Sequence, residues 1–397
     1  MSRQRAHVAR LVLSPVQIQS LDGQGHAARA LWNLLHQWWT FYPHRRPSLV
    51  QADVAIRQAR KDIDWLAVLP AQAAQQVLKA YHRAWMNCWE GRAAPPRFKS
   101  RVRSRMAIDV PQGRDLHVRR VNRRWGEVNI AKVGRVRFRW TKDLPGVTSG
   151  GPAGRITGAR LVKDALGWHI VFRTETIVTA PPPHLGPLVG IDRGITVPLA
   201  LSDGSIRTHG SWLTSGEAEH LRRLERTSAR RRAIRPRGTP VSGRLNRTYD
   251  QIARLRAKAK RRVLDWQHQT TTELARTFGA IAVENLAITN MVKSAKGTVE
   301  RPGRNVRQKS GLNRAIAGQA WGRTVELLTY KLADRAGTLV KVLAPRYLPT
   351  VPRLRRNHPR QPGEPGPVRM PTPGLWLDRQ RRSQRGMQHH PRRRTPA

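Results

Sequence analysis

The sequence predicts an α+β multidomain chain: a β module interrupted by a helical bundle, then an α/β half, then a tail of arginine and proline. Three observations carry this. Apolar residues recur at three and four positions through "ALWNLLHQWW" and "AAQQVLKAYHRAWMNCW", the helical period. Short alternating runs follow, "VNIAKVGRVRFRW", "GRITGARLVKD" and "GWHIVFRTE", separated by Gly and Pro as in an all-β module. Beyond the linker "TAPPPHLGP" strand and helix patterns alternate, as in an α/β unit.

In chain order, "HVARLVLSP" reads as a strand closed by Pro15, and Val16 to about Trp89 as helical, broken at Pro70. Pro95 to Thr176 is the β module, made basic by "PRFKSRVRSR" and "HVRRVNRRW". Leu188 to Ile191 predicts a buried strand with Asp192 at its polar end. "VPLALSDGSIRTHG" then predicts a hairpin turning at Asp203-Gly204. Glu217 to about Ile234 and Tyr249 to about Phe278 read as two long basic helices. "GAIAVENLAITNM" holds a strand ending on Glu284. "NRAIAGQAWGRTVELLTYKLADRAG" predicts one amphipathic helix closed by Gly337, and "TLVKVLAP" a last strand. The expected domains are therefore 1–180 (helices about 16–92), 181–347 (basic helices about 215–278 inserted) and the tail 348–397.

A formal net charge of +49 is costly through self-repulsion unless a polyanion neutralises it. Nucleic acid is the natural partner, bound with strong salt dependence. Most of the basic charge is Arg, suited to bidentate phosphate contacts. The thirteen Trp could stack on bases, although for any single one a core position is the commoner use. The single cysteine, Cys88, excludes a disulfide framework and a cysteine-rich metal site and points to a reducing compartment. No signal peptide and no membrane span is read, because no apolar run approaches the ~18 residues needed.

Two acids stand in parallel contexts: Asp192 after "LVGI" and Glu284 after "AIAV". A carboxylate at the end of a buried strand is expensive unless compensated. Two of them on neighbouring strands can hold Mg²⁺ or Mn²⁺. A third would allow two ions about 4 Å apart, clamping the attacking and leaving oxygens of a phosphodiester. Each alone reads as an ordinary strand-end acid. Together, in so basic a chain, they favour metal-dependent phosphodiester chemistry.

These segments resemble the OrfB/TnpB proteins of insertion sequences, relatives of type V CRISPR effectors. "GIDRGI" resembles the family's first RuvC motif and "AVENLAITNM" its second, which makes Asp192 and Glu284 catalytic, metal-binding acids by analogy. "LNRAIAGQAWGRTVELLTYK", "VLAPRY", "PRFKSR" and the Arg-rich helix pair also match, so the resemblance covers most of Val8 to Tyr347. It implies an N-terminal β-barrel with an inserted helical bundle, then a RuvC/RNase H-like nuclease domain. It also implies a Mg²⁺- or Mn²⁺-dependent, RNA-guided DNA endonuclease of the bacterial cytoplasm and nucleoid. Its partners would be a guide RNA and target double-stranded DNA, with base pairing supplying sequence while the protein reads shape. The family is also labelled transposase, but no Tyr or Ser recombinase constellation is visible.

The family pattern continues after "PRY" with a four-cysteine zinc ribbon and a third catalytic Asp. Here residues 349–397 carry twelve Arg and ten Pro, no Cys, and only Glu364 and Asp378 as acids. The zinc ligands are absent. Asp378 lies in the wrong context, and His389 and His390 are read as incidental. Read one base later, the codons of Met370-Pro371 must give Cys and those of Trp376-Leu377 must give Gly. Gln384 to His390 then permits Asn-Ala-Ala-Cys-Asn-Ile. The hypothesis is a frame slip near Tyr347, leaving a disordered tail and impaired cleavage. An unaltered in-frame nucleotide read there would rule out a base-reading error. The alternatives are an Arg/Pro-rich tail that binds RNA while disordered, and a non-cleaving nucleic-acid binder or inert product.

Overall fold

The computed structural model describes residues 2–41, 47–101, 104–236 and 238–343. The tail, with Asp378, His389 and His390, lies outside them.

Strand β1 (Ser2–Val12) opens the chain, earlier than "HVARLV" alone suggests. Pro15 starts helix α1 (Pro15–Phe41), where its missing N–H costs nothing. Helices α2 (Leu49–Asp62), α3 (Asp64–Ala67) and α4 (Ala71–Trp89) complete the bundle. Ser48 and Gln51 form a reciprocal capping box on α2. Leu21, Leu31, Trp32, Leu35 and Trp39 of α1 are buried, as are Leu78 and Tyr81 of α4. Trp32 and Trp39 both meet the Tyr81 ring at 5.1 and 5.5 Å between centroids, edge-on.

Six strands follow: β2 (Ala107–Val110), β3 (Arg119–Arg120), β4 (Trp125–Ile130), β5 (Gly134–Arg139), β6 (Gly154–Asp164) and β7 (Gly167–Ile177). With β1 they form a curled antiparallel sheet in the order β2-β6-β7-β1-β5-β4-β3. β1 carries the curl: Ser2 to Arg10 pair with β7, and Leu11 and Val12 with β5. One core joins this sheet to the bundle, with Phe138, Phe172, Ile170 and Leu161 under the helices' apolar stripes.

The second sheet comprises β8 (Leu188–Asp192), β9 (Leu199–Leu201), β10 (Ile206–Arg207), β11 (Ala280–Glu284) and β12 (Thr338–Val342), in the order β10-β9-β8-β11-β12. Strands β8, β11 and β12 are parallel, and β9 and β10 form the hairpin at Asp203-Gly204. Between them run α5 (Ser215–Ala233), α6 (Gly243–Thr277), α7 (Ile288–Met291), α8 (Val306–Gln319) and α9 (Trp321–Ala333). Val189, Ile191, Ile281 and Val283 pack on Leu274 and Phe278 at the end of α6 and on Leu328 and Leu332 of α9.

Three expectations need correction. The amphipathic segment before β12 is two helices, because Ala320 takes the left-handed conformation (φ 49°) between α8 and α9. Gly337 does not supply the helix stop: α9 ends at Ala333, and Ala336 has the positive φ, at 54°. Gly337 is instead a close approach, since a Cβ there would lie 2.7 Å from the Gly279 carbonyl oxygen. Finally, β8 is buried on one face only, and Leu188 is 67% exposed.

Candidate metal centre and nucleic-acid interface

In a strand, alternate residues share a face. Val189 and Ile191 point to the helices, so Leu188, Gly190 and Asp192 point away; Ile281 and Val283 likewise leave Ala280, Ala282 and Glu284 on the other side. The parallel register pairs Val283 with Ile191, and the next residues along are Glu284 and Asp192. The two acids, 92 positions apart in the chain, therefore end adjacent strands side by side on one face. On the far side of Glu284 its register partner is Val342 of β12.

The pair is electrostatically frustrated. Burial, and then the neighbouring charge of Asp192, raise the Glu284 pKa, while Arg193 opposes them. Asp192 itself is exposed. Hard oxygen donors under like-charge repulsion suit a hard divalent cation, which would relieve both costs. Among the described residues no group of three His, Cys, Asp or Glu side chains that could hold a metal ion gathers at a common point. Cys88 lies on α4, in the other half of the fold.

Arg193 was not singled out from the sequence, yet it underpins the pair. Its side chain is buried, and it donates to the Glu284 backbone carbonyl and, at 3.4 Å, to that of Trp321. It ties the end of β11 to the start of α9. The signal available was a second charge directly after the strand-end acid. Gln267 of α6 secures the same corner, donating to the carbonyls of Gln319 and Ala320 and to Thr324 Oγ1 at 3.0 to 3.3 Å. Gln319 in turn donates to the Ile195 carbonyl at 3.1 Å.

A cleft of about 1310 Å³ separates β1 and the β5 end from α6 and α9. Arg3, Arg5, Arg139, Lys142, Arg261, Arg276 and Arg323 line it, against the acids Asp265, Glu273 and Asp334; Asp334 pairs with Arg3 and Arg5, Asp164 with Arg261 and Glu326 with Arg323. Neither Asp192 nor Glu284 lines this cleft. The basic helices pair with each other: Glu217 bonds Arg262 and Lys258, and Glu225 bonds Arg256. Helix α5 buries no residue, and its arginines stay largely exposed.

Residues 169–295, which include both acids, match the OrfB_IS605 family, described as probable transposase. An Escherichia coli (strain K12) protein named RNA-guided DNA endonuclease InsQ is 32% identical over 281 residues, covering 71% of this chain and 64% of that one. The chain belongs to the OrfB/TnpB family. A Streptomyces pristinaespiralis protein named RNA-guided DNA endonuclease is 27% identical over 302 residues, 75% of this OrfB/TnpB chain and 66% of that relative. The chain thus spans just under two thirds of the length of these curated relatives. A cryo-EM structure of a Cas12f1-sgRNA-target DNA complex is similar at TM-score 0.39 and 12% identity, over 83% of this chain and 73% of that one. Among the described residues of this OrfB/TnpB chain, no helix is long and apolar enough to cross a membrane.

Proposed function

We propose that this chain is a transposon-encoded, RNA-guided DNA endonuclease. In this reading the curled sheet with its bundle is the family's β-barrel module and residues 181–347 its RuvC-like domain. The observation that carries the reading is the juxtaposition of Asp192 and Glu284 on one face of adjacent parallel strands. The two carboxylates would hold Mg²⁺ or Mn²⁺, an ion that supplies Lewis-acid neutralisation of a phosphodiester oxygen. Arg193 fixes the backbone from which Glu284 projects. The basic cleft and the exposed arginines of α5 suit a guide RNA and target double-stranded DNA, working at the nucleoid in the cytoplasm. With no third acid gathered beside this pair among the described residues, cleavage is expected to be weak.

Incubating plasmid DNA with Mg²⁺ and the protein carrying its co-purified RNA tests this. Cutting that disappears in Glu284→Ala and Asp192→Ala, with RNA still bound, supports the assignment; cutting that survives Glu284→Ala overturns it. A non-cleaving nucleic-acid binder is the second reading. The basic cleft favours it, since that cleft lies apart from the acids and can bind whether or not they cut. A defined co-purifying RNA without any cleavage would support it.

A further inference from the structure

A second cavity, of about 390 Å³, opens where α1 and α4 meet the β2 and β6 edge of the curled sheet. Arg29, Lys99, Arg105 and Arg160 line it, with Asp109 as the carboxylate among them. That carboxylate is already committed, to Arg173 at 3.0 Å and Arg160 at 3.7 Å. Lys99 is held in place from both sides of its own backbone. Its N–H donates to Asn33 Oδ1 at 2.8 Å and its carbonyl accepts from Asn33 Nδ2 at 3.2 Å. Two residues earlier the Arg97 carbonyl accepts from Trp32 Nε1 at 3.0 Å. These bonds set the Lys99 ammonium 3.5 Å above the centre of the Trp32 ring.

The result is an excess of cation over anion. Among the described residues no carboxylate forms an ion pair with Lys99, although burial lowers its pKa only to about 8 and leaves it mostly charged at neutral pH. Arg29 donates one terminal nitrogen to His26 Nδ1 at 2.6 Å, while its other, Nη1, is buried without a hydrogen-bond partner. A half-buried cation left without a paired anion is costly, and the cost falls when an anion enters beside it. Inorganic phosphate would leave most of the volume empty. The remaining wall is mainly apolar, with Ala28, Val77 and Met106 facing the space, and the volume lies in the range of small-ligand sites.

We propose that this cavity binds a single unstacked, phosphate-bearing nucleotide, its phosphate on Lys99 and Arg29 and its base against the apolar wall. The nucleotide is either free or part of a single strand. The site needs no metal and does not depend on the acid pair, so it stands or falls separately from the nuclease reading.

The test uses the full chain, stripped of bound nucleic acid in high salt and kept free of divalent ions. Calorimetry with uridine 5′-monophosphate, uridine and inorganic phosphate is paired with photocrosslinking of a 5-iodouracil oligonucleotide, followed by peptide mapping. The monophosphate, or the oligonucleotide, should bind at least tenfold more tightly to the wild type than to Lys99→Met. Lys99→Arg should retain binding, and Lys61→Gln, the same charge change on exposed α2, should leave it unchanged. Saturable monophosphate binding identifies a free nucleotide. A crosslink to the Trp32 or Met106 peptide that the monophosphate does not displace identifies a nucleotide within a strand. Circular dichroism checks folding, and Arg29→Gln carries the same comparison if Lys99→Met does not fold. Equal binding by Lys99→Met and Lys61→Gln, or crosslinks confined to peptides outside the cavity, would overturn the proposal.

Discussion

Lys331 occupies a core position on α9, in the apolar stripe of Leu327, Leu328 and Leu332, and is 6% exposed. Its ammonium donates to the His268 carbonyl at 2.6 Å and to the hydroxyls of Thr271 and Thr272 at 2.8 and 2.7 Å. Burial, and then Lys142 and Arg335, lower its pKa to about 8 from 10.5. Between those values the unfolded chain holds more protons than the folded one, so this residue's contribution to stability rises with pH across that window. Denaturant unfolding should therefore show wild type gaining on Lys331→Met from about pH 8 to 10.5, by an amount on the order of 1–3 kcal/mol. A difference that stays flat would mean the amine keeps its proton throughout. Arg193 makes the opposite case. Arg193→Met would remove two charge-assisted hydrogen bonds, to the carbonyls of Glu284 and Trp321, at a cost of about 1–3 kcal/mol. Thermal unfolding reads that loss. DNA cutting should fall further than stability does, because Glu284 projects from one of those carbonyls' residues.

Helix ends decide how the α/β half is assembled. Ala320 pays the left-handed penalty that glycine avoids, so Ala320→Gly should stabilise the fold by about 1 kcal/mol while keeping the α8–α9 break. Loss of stability on that change would mean that the Ala320 methyl packs usefully. At the start of α5, Thr214 caps the helix and Glu217 completes the capping box. Glu217 is held at about 2 by Arg262 first, then by the Thr214 N–H and Lys258, so it stays charged far into acid. Thr214→Ala should cost about 1 kcal/mol, visible as faster amide exchange in the first turn of α5. Both helices of this pair were legible from their charge and period, but α6 starts at Gly243, earlier than Tyr249. Its first turn is polar, and Ser242, whose side chain caps it, sits in a Gly- and Pro-rich stretch that reads as loop.

Across the whole molecule, a net charge of +49 on 397 residues makes association with nucleic acid chiefly a matter of displacing counterions. Affinity for duplex or single-stranded probes should fall on the order of 10³-fold between 50 and 200 mM salt; a filter-binding titration that stays level would remove the polyanion as the main partner. Charge, the two helical periods, the alternating strands and the two strand-end acids were all determined by the sequence alone, because each is written in consecutive residues. The pairing of β8 with β11 was not, nor the partner change along β1, nor the burial of Arg193 and Lys331 and the partial burial of Lys99. A strand's pattern says which of its residues face a core but not which strand lies beside it. A cation's cost or use is likewise set by neighbours distant in the chain. Only the tertiary structure could bring Asp192 and Glu284 to one edge, because their closeness is a property of the sheet and not of either segment.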